Sequence, residues 1–140
     1  MDIQRINHVG IRVRDLAATR TFYEQLGFEF VAGPVGPEPV AIMKHPGGVV
    51  LNFILNATDN QPADNILMDR DAKLTGYTHM ALEVPDLDAA RDELNRLGIP
   101  LSGGPIDVGE ARFMFIRDPD LNVVELNQPK AAGGFKRSGH

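Results

Sequence analysis

The sequence contains a diverged copy of itself. Ile6-Asn7-His8-Val9-Gly10-Ile11-Arg12-Val13 falls on Tyr77-Thr78-His79-Met80-Ala81-Leu82-Glu83-Val84, an offset of 71 residues (79 minus 8). The same offset carries Asp15-Leu16 onto Asp86-Leu87, Ala18 onto Ala89, and Arg20 onto Arg91. It then carries Leu26-Gly27 onto Leu97-Gly98 and Gly33-Pro34 onto Gly104-Pro105. After a small length change the copies re-align at 73 (125 minus 52), with Pro46 on Pro119 and Val50-Leu51-Asn52 on Val123-Val124-Glu125. An ordered series of this kind makes the chain two versions of one unit.

Each copy opens with a strand of period-two pattern, residues 5–13 and 77–84. Asp15 and Asp86 follow, each suited to cap a helix because its carboxylate accepts from free backbone N–H groups. Leu87, Ala90, Leu94 and Leu97 form one stripe on the second helix; Leu16, Phe22, Tyr23 and Leu26 do so less cleanly on the first. Gly27 and Gly98 end the helices. Strands are expected over 28–32, 39–44 and 49–55, and over 100–102, 111–117 and 122–127. Turns at His45-Pro46-Gly47-Gly48 and Asp118-Pro119-Asp120-Leu121-Asn122 separate the last two strands of each copy. The fold class is therefore α+β, two tandem β-α-β-β-β modules at 1–55 and 77–129. A linker or lid loop at 56–76 joins them, and a flexible tail at 130–140 follows.

Composition narrows the chemistry. Hydrophobic residues make up 43% and charged residues 24% of 140 residues, which is globular rather than disordered. The net charge is -5 and no stretch collects Lys and Arg, so nucleic acid is not expected as a partner. No apolar run approaches the roughly 20 residues that span a bilayer, and Met1 to Arg5 does not read as a signal peptide. A cytoplasmic protein without membrane contact is the expectation. With no cysteine, any metal must be held by nitrogen and oxygen.

Alternate strand residues share a face. Val9, Ile11 and Val13 pack on the helix, leaving His8, Gly10 and Arg12 opposite. Met80, Leu82 and Val84 likewise leave His79, Ala81 and Glu83 opposite. In the closing strands Leu51 and Phe53 oppose Asn52, and Val124 and Leu126 oppose Glu125. His8, Asn52, His79 and Glu125 thus occupy two pairs of equivalent positions, and a pseudo-twofold pairing of the copies brings them to one cavity. Two imidazoles and a carboxylate suit one divalent ion, such as iron, nickel, zinc, cobalt or manganese. His8, His79 and Glu125 are the candidate ligands. Asn52 is either a further donor or a residue just outside the ligand set. Arg12 and Glu83 lie on the cavity face, where they either bridge the copies as an ion pair or touch substrate. His45 is expected to be exposed in its turn. Asp118 and Asp120 are read as turn chemistry, and Phe113 and Phe115 as core or cavity wall.

At these residues the sequence resembles the vicinal oxygen chelate superfamily, which includes glyoxalase I, extradiol dioxygenases, fosfomycin-resistance enzymes and metal-free bleomycin-resistance proteins. The resemblance covers about residues 4–129. Its motifs are Asn7-His8-Val9-Gly10, Phe22-Tyr23-Glu24-Gln25-Leu26-Gly27-Phe28, His79-Met80-Ala81-Leu82 and Asp118-Pro119-Asp120-Leu121-Asn122-Val123-Val124-Glu125-Leu126. It implies paired modules forming an open, curved, eight-stranded barrel-like sheet around a central metal site, with ligands at His8, Asn52, His79 and Glu125. Asn52 departs from the glyoxalase I pattern, where a glutamate stands; an amide cannot accept that proton at neutral pH.

The function implied is a metal-dependent enzyme acting on a small substrate with vicinal oxygens, with Glu125 also moving a proton. Lyase or isomerase chemistry is slightly favoured over ring-cleaving dioxygenase chemistry, by analogy alone. The alternative is a metal-free protein that sequesters a drug, as bleomycin-resistance members do. Curved sheets leave edges that benefit from cover, so a homodimer is expected.

Overall fold

The computed structural model describes residues 1–130. The expectations for the tail beyond Lys130 lie outside the described residues. The chain forms two compact units, Met1–Gln61 and a second beginning at Pro62.

In the first unit the order is β1 (Val9–Arg12), α1 (Leu16–Gln25), β2 (Glu29–Val35), β3 (Val40–Lys44) and β4 (Val50–Ile54). The sheet runs β1-β4-β3-β2, with β1 parallel to β4 and the other pairs antiparallel. The second unit repeats this with β5 (His79–Glu83), α2 (Leu87–Leu97), β6 (Gly103–Asp107), β7 (Ala111–Arg117) and β8 (Val123–Pro129), in the order β5-β8-β7-β6. The two sheets are separate and open, each with four strands.

Local sequence explains the elements. The Asp15 carboxylate accepts from the Ala17 N–H, and that of Asp86 from the Ala89 N–H, so each helix begins where a side chain satisfies a free donor. Gly98 takes the left-handed conformation at φ 75° and closes α2 with bonds back to Asn95 and Leu94. The core of the first unit lies between α1 and its sheet: Tyr23, Phe53, Met43 and Leu51 are fully buried, with Tyr23 edge-on to Phe22 and Phe28. Thr19 is equally buried because it precedes Phe22 and Tyr23 by three and four residues on the same helical face. The second core collects Leu87, Leu94, Met114, Ile116 and Val124.

Several boundaries differ from expectation. The first strand begins at Val9 rather than at residue 5, because only residues facing β4 gain a ladder; Val9 pairs with Leu51 and Arg12 with Ile54. The strand expected at 100–102 lies instead at Gly103–Asp107, where Gly103 pairs with Phe115. Pro100 has no N–H to give to a ladder. The strand expected at 28–32 runs on to Val35, through an irregular register at Ala32–Val35.

The linker also divides differently. From Pro62 onward it belongs with the second unit. The Asn65 side-chain oxygen accepts from the N–H groups of Leu67 and Met68, and its Nδ2 donates to the Leu121 carbonyl. The Asp69 carboxylate receives both terminal nitrogens of Arg117 at 2.7 and 2.9 Å, and the Asn65 N–H at 2.8 Å. The Arg117 guanidinium, seconded by the Asn65 N–H, holds the Asp69 carboxyl far below the usual carboxylate range. A depressed carboxyl stabilises the fold fully above its unfolded value and loses that contribution only as pH falls through the folded one. Residues 62–73 should therefore resist proteolysis equally at pH 7 and pH 5. Asp69→Asn should increase nicking in this segment several-fold at both pH values, read by limited proteolysis with mass mapping. Equal resistance in the variant would show that the ion pair does not hold the segment.

Candidate functional site

The site face of the second sheet is the one turned from α2. In register, β5 His79 stands beside β8 Val123 and β7 Arg117, and Ala81 stands beside Glu125 and Phe115. His79 and Glu125 lie on neighbouring parallel strands, offset by two residues and so on the same face, close enough for their side chains to meet. His79 Nε2 is 2.9 Å from Glu125 Oε1, and the carboxylate side chain is only 12% exposed. The other carboxylate oxygen, Oε2, accepts from Asn127 Nδ2 at 2.8 Å. Asn127 follows Glu125 by two residues and therefore shares its face. Sequence reading missed Asn127, although that spacing alone would have placed it there.

The imidazoles are oriented by their own neighbours. His8 Nδ1 is 2.8 Å from Asn7 Oδ1, and His79 Nδ1 is 3.0 Å from Thr78 Oγ1. Asn7 and Thr78 are equivalent in the repeat, as are the two histidines. An amide oxygen on Nδ1 demands the Nδ1–H tautomer at His8, which leaves the Nε2 lone pair outward; at His79 the Nε2–H donates to the Glu125 carboxylate, so Nδ1 accepts from the Thr78 hydroxyl. His79 is further held edge-on to Phe115, with ring centroids 5.6 Å apart, and Phe115 is edge-on to Phe113 at 5.7 Å.

In the first unit, Asn52 occupies the position that Glu125 holds in the second, opposite Gly10 on β1 and Ile42 on β3. Its Oδ1 is buried and has no hydrogen-bond partner. Such an acceptor costs free energy unless a donor or a cation meets it. His8 lies just before β1 and is exposed.

Arg12 is engaged within the first unit rather than with Glu83. Its Nε donates to Asn56 Oδ1 at 2.8 Å and its Nη2 to Glu38 Oε1 at 3.0 Å. Glu38 also accepts from Asn56, and these two partners, Asn56 foremost, lower its carboxyl pKa. The ion pair expected between Arg12 and Glu83 is thus replaced by Arg12 with Glu38, within the first unit. Glu83 is exposed at the end of β5. His45, expected to be exposed, is half-buried, edge-on to Phe28, and accepts from the Gly47 N–H through Nδ1. Asp118 does turn chemistry as expected: it is buried and accepts from the Asp120 and Asn122 N–H groups and from Asn122 Nδ2.

The donor chemistry fits a divalent ion. Cis ligands of an ion bound at about 2.1 Å stand roughly 3 Å apart, and the His79–Glu125 separation matches that. The Asn7 oxygen leaves His8 Nε2 as a lone-pair donor, and His79 Nε2 would become one when an ion replaces the proton it shares with Glu125. Among the described residues, however, no group of three or more His, Asp or Glu is gathered closely enough to hold a metal ion. The His79–Glu125 pair is the part of the expected set that the structure draws together.

Two β-α-β-β-β modules, the second with His79 and Glu125 in contact across β5 and β8, have the architecture of the vicinal oxygen chelate fold. The family model for the Glyoxalase/Bleomycin resistance protein/Dioxygenase superfamily matches residues 5–126, and the chain belongs to that family. It is 27% identical to a lactoylglutathione lyase of Escherichia coli O157:H7, over 92% of this chain and 96% of that protein. It is 25% identical to a lactoylglutathione lyase of Schizosaccharomyces pombe, but spans only 45% of that protein's length. Among solved structures, a glyoxalase family protein from Enterococcus faecalis superposes with a TM-score of 0.73 at 26% identity, covering 91% of this chain and 99% of that one. An antibiotic-binding protein from a Streptomyces species superposes at 0.71, also at 26% identity, covering 93% and 99%.

Proposed function

We propose that the protein is a divalent-metal-dependent enzyme of this family, acting on a small molecule with neighbouring oxygens, with lyase or isomerase chemistry ahead of dioxygenase chemistry. The observation that carries the reading is the His79 Nε2–Glu125 Oε1 pair at 2.9 Å, with the outer atoms of both side chains already engaged. His79, Glu125 and His8 would hold the ion, whether iron, nickel, zinc, cobalt or manganese, with the Asn52 oxygen as a further acceptor. The ion would act as a Lewis acid towards substrate oxygens.

The chain's own residues divide the remaining work. Thr78 and Asn7 fix the imidazole rings. Asn127 ties down Glu125 Oε2, so that Oε1 alone faces His79. Glu125 is the group that would take and return a substrate proton. Asn52 cannot share that task, since an amide is not a base at neutral pH. Proton movement is therefore one-sided, through the second module.

Asn127 acts as a positioning residue. Asn127→Leu keeps the volume and removes the donor, freeing the carboxylate to rotate. Metal affinity should fall about tenfold, in line with other residues that orient a ligand, as measured by competition with a fluorescent chelator. Unchanged affinity would remove Asn127 from the site.

The test of the whole reading is elemental mass spectrometry on untagged protein purified under nitrogen. About one equivalent of a divalent transition metal per chain is expected. Iron would move dioxygen chemistry forward; nickel, cobalt, zinc or manganese would favour a lyase or isomerase. Absence of metal after reconstitution sinks the reading. The antibiotic-binding Streptomyces structure then supports a second one, a protein that sequesters a drug without turnover. We further propose a cytoplasmic homodimer; each sheet ends in strands with one unpaired edge, and sedimentation velocity checks the mass. Among the described residues, no helix is long and apolar enough to cross a membrane.

A further inference from the structure

We propose that the ligand of this site is an uncharged, planar aromatic molecule seated against Phe115 and Phe113, rather than an anionic thiol conjugate; the orientation of its oxygens rests on the metal site proposed above.

Three observations lead there. First, the surface beside Glu125 is aromatic. Phe115 is the register partner of Glu125, and Phe113 is the partner of Asn127. Both rings are half-buried rather than sealed in the helix-side core, where Met114 and Ile116 of the same strand lie. With His79 they form a continuous edge-to-face row that starts at the reacting pair. Exposed ring surface next to polar donors suits a flat apolar body with a polar edge.

Second, the face offers an anion little. Its strand residues include one cation, Arg117, and two carboxylates, Glu125 and Glu83. Arg117 is already held by Asp69 through two hydrogen bonds at 2.7 and 2.9 Å. The neighbouring Arg112 alternates to the helix side, where it pairs with Asp88. A glutathione conjugate carries two carboxylates, and each would have to displace an existing partner or remain unpaired near Glu125. Unpaired charge at a partly buried site is costly.

Third, β7 lacks room for the rings to fold away. A Cβ on Gly103, the partner of Phe115, would meet that ring at 3.3 Å, so Phe115 already rests on the β6 backbone. It is braced on that side, and its remaining surface faces the site side of the sheet.

The full chain would be titrated with 2,3-dihydroxynaphthalene, which is aromatic, uncharged at neutral pH and fluorescent. The comparators are trans-cyclohexane-1,2-diol and S-lactoylglutathione. Tightest binding should be to the naphthalenediol, by about tenfold or more. Phe115→Ala should weaken it about tenfold, as expected for loss of an aromatic pair, and Phe115→Tyr should restore it. Phe113→Ala repeats the test with a ring that does not touch His79, in case Phe115→Ala disturbs the fold. Metal content is read in every protein. Normal metal uptake with naphthalenediol binding unaffected by either alanine variant overturns the proposal and leaves the metal reading standing. So does tighter binding of the glutathione thioester. Phenylalanine-dependent binding in a protein that takes up no metal supports the aromatic site and sinks the metal reading instead.

Discussion

Replacing His79 by alanine is expected to abolish stoichiometric metal binding and, with it, the stabilisation that metal confers. His79 Nε2 lies 2.9 Å from the only carboxylate proposed as a ligand, and no other described imidazole makes that contact. Loss of one of three strong donors should weaken the ion by 100-fold or more, on the order of what even orienting partners can cost. The thermal consequence follows from mass action. Metal at about 100 times its dissociation constant stabilises the native state by about 2.7 kcal/mol. For a chain of this size that is roughly 10 °C in Tm. Wild-type protein should show that rise on metal addition in calorimetry, and His79→Ala should show almost none, with the metal-free Tm values close together. A variant that kept the full rise would place the ion elsewhere. Glu125→Gln serves as a check on shape: it preserves volume and a donor oxygen but removes the charge, so it should fall between the two.

The second large effect concerns the backbone. Gly33→Ala should destabilise the protein by about 3 kcal/mol or more in chemical denaturation. Gly33 has φ +121°, and a Cβ there would sit 2.4 Å from the Val40 carbonyl oxygen and 2.6 Å from the Ala41 Cα. Both obstacles are backbone of the adjacent strand β3, so no side chain can turn aside. Ala41 is fully buried, so β3 has no open space to move back into. Gly104, its counterpart in the second module, has φ +80° and would meet the Phe113 oxygen at 2.8 Å and the Met114 Cα at 2.9 Å. It should behave the same way, somewhat less severely. Gly98→Ala is the control. Its φ is +75°, but nothing lies within 4 Å, so only conformational strain remains, about 1 kcal/mol. If Gly33→Ala cost no more than Gly98→Ala, the close strand approach would not be a constraint on the fold.

What could be read from the sequence was whatever repeats or alternates. The helix caps at Asp15 and Asp86, the ends at Gly27 and Gly98, and the facing of His79 and Glu125 away from the helix all follow from period and offset. Contacts made by residues outside the repeat were not legible. Glu38 lies in a turn between β2 and β3, and nothing in its neighbourhood signals that it will claim Arg12 from 26 positions away. Asp69 holds Arg117 from 48 positions away, and the polar stretch around it reads as an unstructured linker. The β6 register was misplaced because Leu101-Ser102-Gly103-Gly104 has no alternation to anchor it; the pairing of Gly103 with Phe115 is decided by the neighbouring strand. Thr19 was missed because a hydroxyl in a helix is ordinarily given to solvent. Asn127 was legible in principle, being two residues from Glu125 on a strand.

The division of the linker has a practical meaning for dissecting the molecule. Because Asn65 and Asp69 fasten their segment to the β7–β8 end of the second sheet, the covalent joint between the repeats shrinks to the residues just before Pro62. A split version of the protein, made as two separately expressed fragments, should be cut at Gln61. A cut at the sequence-level boundary near Gly76 would leave Asp69 on one fragment and Arg117 on the other. Each would then carry a charge whose partner had to be recovered by collision rather than supplied by the chain.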